Sequence, residues 1–418
     1  MPYLAQTAQS RDAAEIPVNE IDVSDATLYQ EDTWRPYFAR LRAEDSVHWS
    51  ENALFGGFWS VTRFKDITAV DGNHEAFSSE PAITIGDYGD DLPVRQFIAM
   101  DPPIHDVQRA AVQGVVAPRN LSDLEGLIRQ RVADILDGLP IGETFNWVDE
   151  VSINLTTQML ATIFDFPFED RHKLPYWSDM ATSLPEATGS DGDVDERTMA
   201  LQECLAYFTT LWHERKNNPP DTMDLISLLA TNPNTREMVD DPLEYLGNLV
   251  LLIVGGNDTT RNSITGGVLA LNQHPTEYAK LKANPVLIPS MVSEIIRWQT
   301  PLMHMRRIAT QDVELGGKTI RKGDKVVMWY LSGNHDDTAI ERPNEFIIDR
   351  ANPRYHLSFG FGIHRCMGNR LGEMQLRILW EEILKRFSQV EVVGEPERVL
   401  SNFVRGYSAL PVRLHALN

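Results

Sequence analysis

The sequence predicts a mainly α protein with small peripheral β-sheets. Three observations carry that expectation. Helical apolar spacing dominates residues 101–300, one stretch at 243–272 reads as a single long helix, and strand-like alternation is confined to short segments. There is no internal repeat, long low-complexity tract or linker-like stretch. Residues 1–418 therefore read as one domain, helix-rich over 64–310 and 369–387 and β-rich over 46–62, 311–330 and 390–416.

In chain order, residues 1–30 read as a loosely structured arm. In VHWSENALFGGFWSVTR (46–62), alternating apolar positions flank Gly56-Gly57, which predicts a hairpin. A helix is expected from Phe64 to Phe77, then a loop over 78–100. MDPPIH reads as a helix start, with Asp101 as the cap and Pro102 in the first turn. PEATGSDGDVD (185–195) is a polar break between helices. The 243–272 helix would be roughly 45 Å long at 1.5 Å per residue. VELGGKTIRKGDKVVMWY reads as strands and turns, 369–387 as the last helix, and 390–416 as strands again.

Of the 418 residues, 42% are hydrophobic, ample for a large core. The net charge of −22 argues against a nucleic-acid partner, which would want a basic excess. Two cysteines, Cys204 and Cys366, are too few for a disulfide framework and suggest a reducing compartment. The N-terminal stretch MPYLAQTAQSRDAAEIP has no basic segment followed by an apolar one. The apolar run Leu249 to Val254 falls far short of the roughly 20 residues of a membrane span. A cytoplasmic enzyme is expected.

The chemistry concentrates at FGFGIHRCMG (359–368), where a cysteine sits in a glycine-rich turn just before a helix. Gly360, Gly362 and Gly368 would let the backbone approach a flat ligand. N–H groups at the helix start can bond the sulfur, and the helix dipole favours thiolate. A lone cysteine is usually a small buried hydrophobe. Here the order Phe-Gly-x-Gly-x-His-x-Cys-x-Gly resembles the haem-ligand motif of the cytochrome P-450 superfamily. The resemblance implies the fold of that superfamily, haem b as cofactor, and Cys366 as the iron ligand, with Phe359, Gly360, His364 and Gly368 around it.

Two further segments fit the resemblance. Glu294-x-x-Arg297, alone an ordinary surface pair, stands where the family has a buried structural network. Gly255-Gly256-Asn257-Asp258-Thr259-Thr260 lies inside the long helix, where two glycines cost about 1 kcal/mol each. Either the helix ends at Gly255, or, as in the family, it crosses the haem face with a local distortion. In the second case the Thr259 hydroxyl leaves its bond to a preceding carbonyl, and Asp258 and Thr259 form the acid–alcohol pair that relays protons to the oxygen site.

Asp-Pro-Pro-x-His-x-x-x-Arg places His105 and Arg109 on one helix face, and with Arg307 and His364 these resemble the family's propionate contacts. Arg306 competes with Arg307 for that role. Ile83, Leu251, Val254, Gly255, Leu302, Met305 and Phe403 are expected to line an apolar substrate pocket. GGNDTTRNS, TPLMHMRR and NFVRGYSALPVR look like the bacterial alkane-hydroxylase branch. That implies terminal (omega) hydroxylation of medium-chain n-alkanes or fatty acids, although the 78–99 loop is shorter than that branch suggests. Electrons would come from NAD(P)H through a ferredoxin reductase and a 2Fe-2S ferredoxin docked near Arg119, Arg354 and Arg365. The alternatives are a monooxygenase of terpenes or steroids, a peroxide-driven peroxygenase, or a non-enzymatic haem protein.

Overall fold

The long helix, Pro242–Gln273, is the axis of the molecule. Asp241 caps it by accepting the Glu244 N–H at 3.2 Å, and Pro242 stands in its first turn. It is buried over most of its length, because it packs against the helices Asn154–Phe164, Lys173–Thr182 and Ile288–Gln299 together. A helix apolar on several faces belongs in the centre of a bundle. The computed structural model describes residues 12–87, 94–182, 194–218, 220 and 223–417. Most of the 185–195 break lies outside them.

The main sheet is assembled from distant segments. Its five strands run in the order Val47–Asn52, Gly56–Val61, Lys325–Met328, Met305–Ala309, Phe77–Ser78. The first two form the hairpin, in register Val47↔Val61 to Asn52↔Gly56. The tail strand Pro411–Ala416 lies between Phe387–Val392 and Thr144–Asn146 in a second sheet.

Several expectations need correction. Residues 12–30 are no loose arm: Ala13, Ile21, Val23, Leu28 and Tyr29 are buried with Trp34 and Phe38. The helix from Phe64 stops at Asp71, because the Asp71 carboxylate is drawn to partners elsewhere and Phe77–Ser78 pairs with Ile308 and Ala309. Met305–Ala309, at the end of the span read as helix-rich, is the strand that the resemblance implies for Arg307. Asp101 does not cap the next helix, Ile104–Val112. Its carboxylate instead accepts from Ser78 Oγ and the Ser79 N–H, tying down the preceding loop.

Candidate active site

The cysteine loop is built by two left-handed residues and a helix start. Gly360 and Gly362 have φ of +66° and +67°, which side-chain-bearing residues rarely adopt. A Cβ on Gly362 would also lie 2.3 Å from the Asp71 carbonyl oxygen. The turn returns the Cys366 N–H to the Phe359 carbonyl at 2.8 Å. The sulfur then faces the start of the helix Asn369–Arg386, where it accepts from the Gly368 and Asn369 N–H groups. Its side chain opens onto a cavity within the protein and is closely surrounded by other protein atoms. Burial therefore pushes the thiol pKa up, and the two N–H groups with Arg109 and Arg365 pull against it.

That cavity gathers most of the residues expected at the site. Phe359, Gly360, His364, Cys366 and Gly368 form one wall, and Arg109 and Arg307 line it as well. Ile83, Leu251, Val254, Gly255, Thr259, Leu302, Met305 and Phe403 line the rest. His105 does not line it. The His105 ring stands edge-on to His364, 4.3 Å away, and bonds Asp106. His364 Nε2 shares a 2.8 Å hydrogen bond with Ser79 Oγ. Burial, with Arg307 and other cations nearby, pushes the His364 pKa down to about 2.

Arg306 and Arg307 point to opposite sides of their strand, as alternation requires. Arg307 lines the cavity and is held by Asp71 at 2.7 Å. Arg306 donates to the carbonyls of Thr84, Ile85 and Gly86 and pairs with Asp87. It therefore anchors the loop that carries Ile83. Sequence reasoning missed that role, and also Asp71, which accepts from Arg307, Tyr330 Oη and the Phe361 N–H. Nothing local in either stretch marks them.

The long helix passes the cavity without a break, so it does not end at Gly255. It is also regular there, and the expected distortion is absent. Thr259 keeps its bond to the Gly255 carbonyl at 2.8 Å, so its hydroxyl oxygen faces the cavity as an acceptor. Asp258 does not line the cavity. Adjacent helix residues diverge by about 100°, which turns its carboxylate toward the helix Lys173–Thr182. There it accepts from Ser178 and Asn257 and pairs with Arg261 at 3.1 Å, and Arg261 in turn pairs with Asp179. Burial raises the Asp258 pKa, and Arg261 opposes that shift.

The Glu294–Arg297 pair is fully buried. Glu294 also binds Arg350, and Arg297 donates to the carbonyls of Asn334 and Pro343. Asn334 bonds Ser358 Oγ and the Leu357 N–H, which carries the network to the cysteine loop.

The donor set suits haem. One thiol with two N–H donors stands on the wall of a largely apolar cavity, with two guanidinium groups and a histidine on the same wall. His364 Nδ1 is buried without a hydrogen-bond partner among the described residues. Carboxylate-bearing, flat and otherwise apolar, haem matches those groups. Fold and site together define a haem-thiolate oxidoreductase. A profile of the family described as Cytochrome P-450 matches residues 115–407, and the chain belongs to that family. It is 33% identical to linalool 8-monooxygenase of Pseudomonas putida, over 94% of this chain and 98% of that one. It is 31% identical to methyl-branched lipid omega-hydroxylase of Mycobacterium tuberculosis, over 95% of each. The solved structure of cytochrome P-450-153 from Novosphingobium aromaticivorans is 45% identical and superimposes with a TM-score of 0.89, covering 94% of this chain and 99% of that one. The protein is thus a monooxygenase that binds haem b and takes electrons from NAD(P)H through redox partners.

Proposed function

We propose that this monooxygenase hydroxylates the terminal carbon of medium-chain n-alkanes or fatty acids. The observation that carries the reading is the cavity itself: Ile83, Leu251, Val254, Leu302, Met305 and Phe403 present apolar side chains in the same cavity that Cys366 lines. An apolar, enclosed site selects an apolar substrate. A chain end is chosen by orientation, because a terminal C–H bond is stronger than its neighbours and must be presented alone. The likeness to the alkane-hydroxylase branch, and a relative named for omega-hydroxylation, support that choice. The relative named for linalool supports the second reading, a terpene substrate.

Haem, held by Cys366 with Arg109, Arg307 and His364 around its propionates, would supply dioxygen activation and insertion of one oxygen atom. The protein supplies positioning and protons. Thr259 offers a lone pair in the cavity to a proton-carrying water. Asp258 takes up a proton on the far side of the helix and delivers it by rotating away from Arg261. A 2Fe-2S ferredoxin and its reductase would bring electrons to the exposed Arg119, Arg354 and Arg365. Product analysis with octane, dodecane and dodecanoic acid, driven by a ferredoxin system, tests the reading. Primary alcohols and omega-hydroxy acids are expected, and mainly subterminal alcohols would refute it. Turnover with peroxide alone would favour a peroxygenase, and no NADH-coupled product would favour a haem carrier.

A further inference from the structure

One wall of the cavity comes from the short stretch that leads into the 3-10 turn Phe97–Ala99. Val94, Gln96, Phe97 and Ile98 line it, the chain running extended into Gln96 and then turning, and this segment lies across the first two turns of the long helix. The helix is cut to receive that segment. A Cβ on Gly247 would stand 2.1 Å from the Arg95 carbonyl oxygen and 2.7 Å from its carbon. Both neighbours are backbone, so no side-chain rotation relieves the clash. Beside the notch, Asn248 accepts the Phe97 N–H at 3.0 Å and donates to Gln108 at 3.1 Å. Gln108 donates to Glu244 at 2.7 Å, and Glu244 accepts from Arg95 at 2.8 Å. Arg95 also pairs with Asp241 and donates its N–H to the Leu243 carbonyl at 3.3 Å. Asn248 and Gln108 are buried. The ring closes on itself: segment, helix and the Ile104–Val112 helix that carries Gln108 hold one another.

We propose that Gly247, Asn248 and Gln108 are positioning residues that determine which carbon of the substrate is oxidised. They touch neither cofactor nor reacting atoms. They fix the backbone of residues 95–97, and so the distance between the Phe97–Ile98 wall and the Thr259 face of the same cavity. A chain end is presented alone only if that gap admits little more than one extended chain. Moving the wall outward lets the chain bend and offer internal carbons. The proposal rests on the monooxygenase reading and deepens the proposed function, because it names what would enforce end selection.

The test uses the full-length, haem-loaded enzyme with its electron-transfer proteins and dodecanoic acid and dodecane as probes. Gly247→Ala is expected to lower the ratio of terminal to internal products by about 10-fold, within the roughly 100-fold that a 1 Å misplacement can cost. It should also weaken the substrate-induced spectral shift. The carbon monoxide band of the reduced protein should stay in place, since the cysteine loop is untouched. Arg95 is largely exposed, so Arg95→Gln introduces no buried clash; a smaller change in the same direction is expected, reversed by Arg95→Lys. Unchanged product ratios in both variants overturn the proposal. If the wild type oxidises internal carbons, the terminal-hydroxylase reading fails, and the same ratio still decides whether the notch sets position.

Discussion

At the scale of single residues, Thr259 and Asp258 stand on two faces of one helix, and the proposed function would divide the proton work between them. Because Thr259 donates to Gly255, its free capacity is to accept. Thr259→Ala should leave haem binding intact but lower the product formed per NADH and raise peroxide release, measured side by side. Unchanged coupling removes Thr259 from the proposal. Asp258→Asn should slow turnover by roughly 10²-fold, the size of a lost proton-transfer group, with a larger solvent isotope effect. Cys366, Gly360 and His364 were legible because their spacing is local, and the glycines answer to a backbone need that no other residue meets. The orientation of Asp258 was not legible. Reading it as a cavity residue required a distorted helix, and the regular 3.6-residue period forbids two neighbours from sharing a face. Alternation says that Arg306 and Arg307 differ but not which one faces inward, and the choice of Arg307, which the structure places on the cavity, came from the resemblance alone.

Among elements, the long helix was the most readable. The expected span 243–272 falls within one residue of Pro242–Gln273 at each end, and the Asp241 cap that fixes the start was not part of that reading. Its glycines answer to different neighbours, and this separates two variants. On Gly256 a Cβ would meet only the Leu160 methyl, at 2.7 Å, and a leucine end can turn away. On Gly266 it would meet Gln299 Oε1 at 2.2 Å, and Gln299 bonds the Arg405 carbonyl and Tyr407 Oη. Gly256→Ala should therefore leave the urea midpoint almost unchanged, the helix gain of about 1 kcal/mol offsetting mild crowding. Gly266→Ala should lower stability by about 1–3 kcal/mol as overpacking breaks those bonds. Equal midpoints would contradict the packing described. The short strands were less readable. Phe77–Ser78 looks helical alone and becomes a strand only because Ile308 and Ala309 offer their edge. The inward packing of residues 12–30 was equally hidden, since their apolar positions lack a period.

For the whole molecule, charged pairs join distant parts of the chain. Glu294→Ala would strand the buried Arg297 and remove a partner of the half-buried Arg350, and should cost about 3–5 kcal/mol, with loss of haem during gel filtration. Asp32 joins the N-terminal region to the tail through Arg405. Burial pushes its carboxyl up, but Arg405, Arg35, Arg398 and the Trp34 N–H more than offset this, holding the pKa at about 2. Its contribution is therefore full above the unfolded carboxyl value of 3.8 and lost as pH falls through about 2. Asp32→Asn should be less stable than wild type at neutral pH, and the gap should close on acidification over that window. A gap that persisted at pH about 2 would mean the pair contributes by packing, not charge.

The parallel pairing of Gly56–Val61 with Lys325–Met328 sets a timetable for synthesis. Roughly 265 residues separate the two strands, and at roughly 5–20 residues per second the first waits about 13 to 50 s for its partner. Throughout that interval the hairpin offers an open edge and the apolar faces of Phe58 and Val61. The cysteine emerges later still. The emerging chain thus needs shelter from its neighbours before it can need haem. Ribosome-bound chains ending before Lys325 should be cut readily by protease within residues 47–61, and chains extending past Met328 should resist.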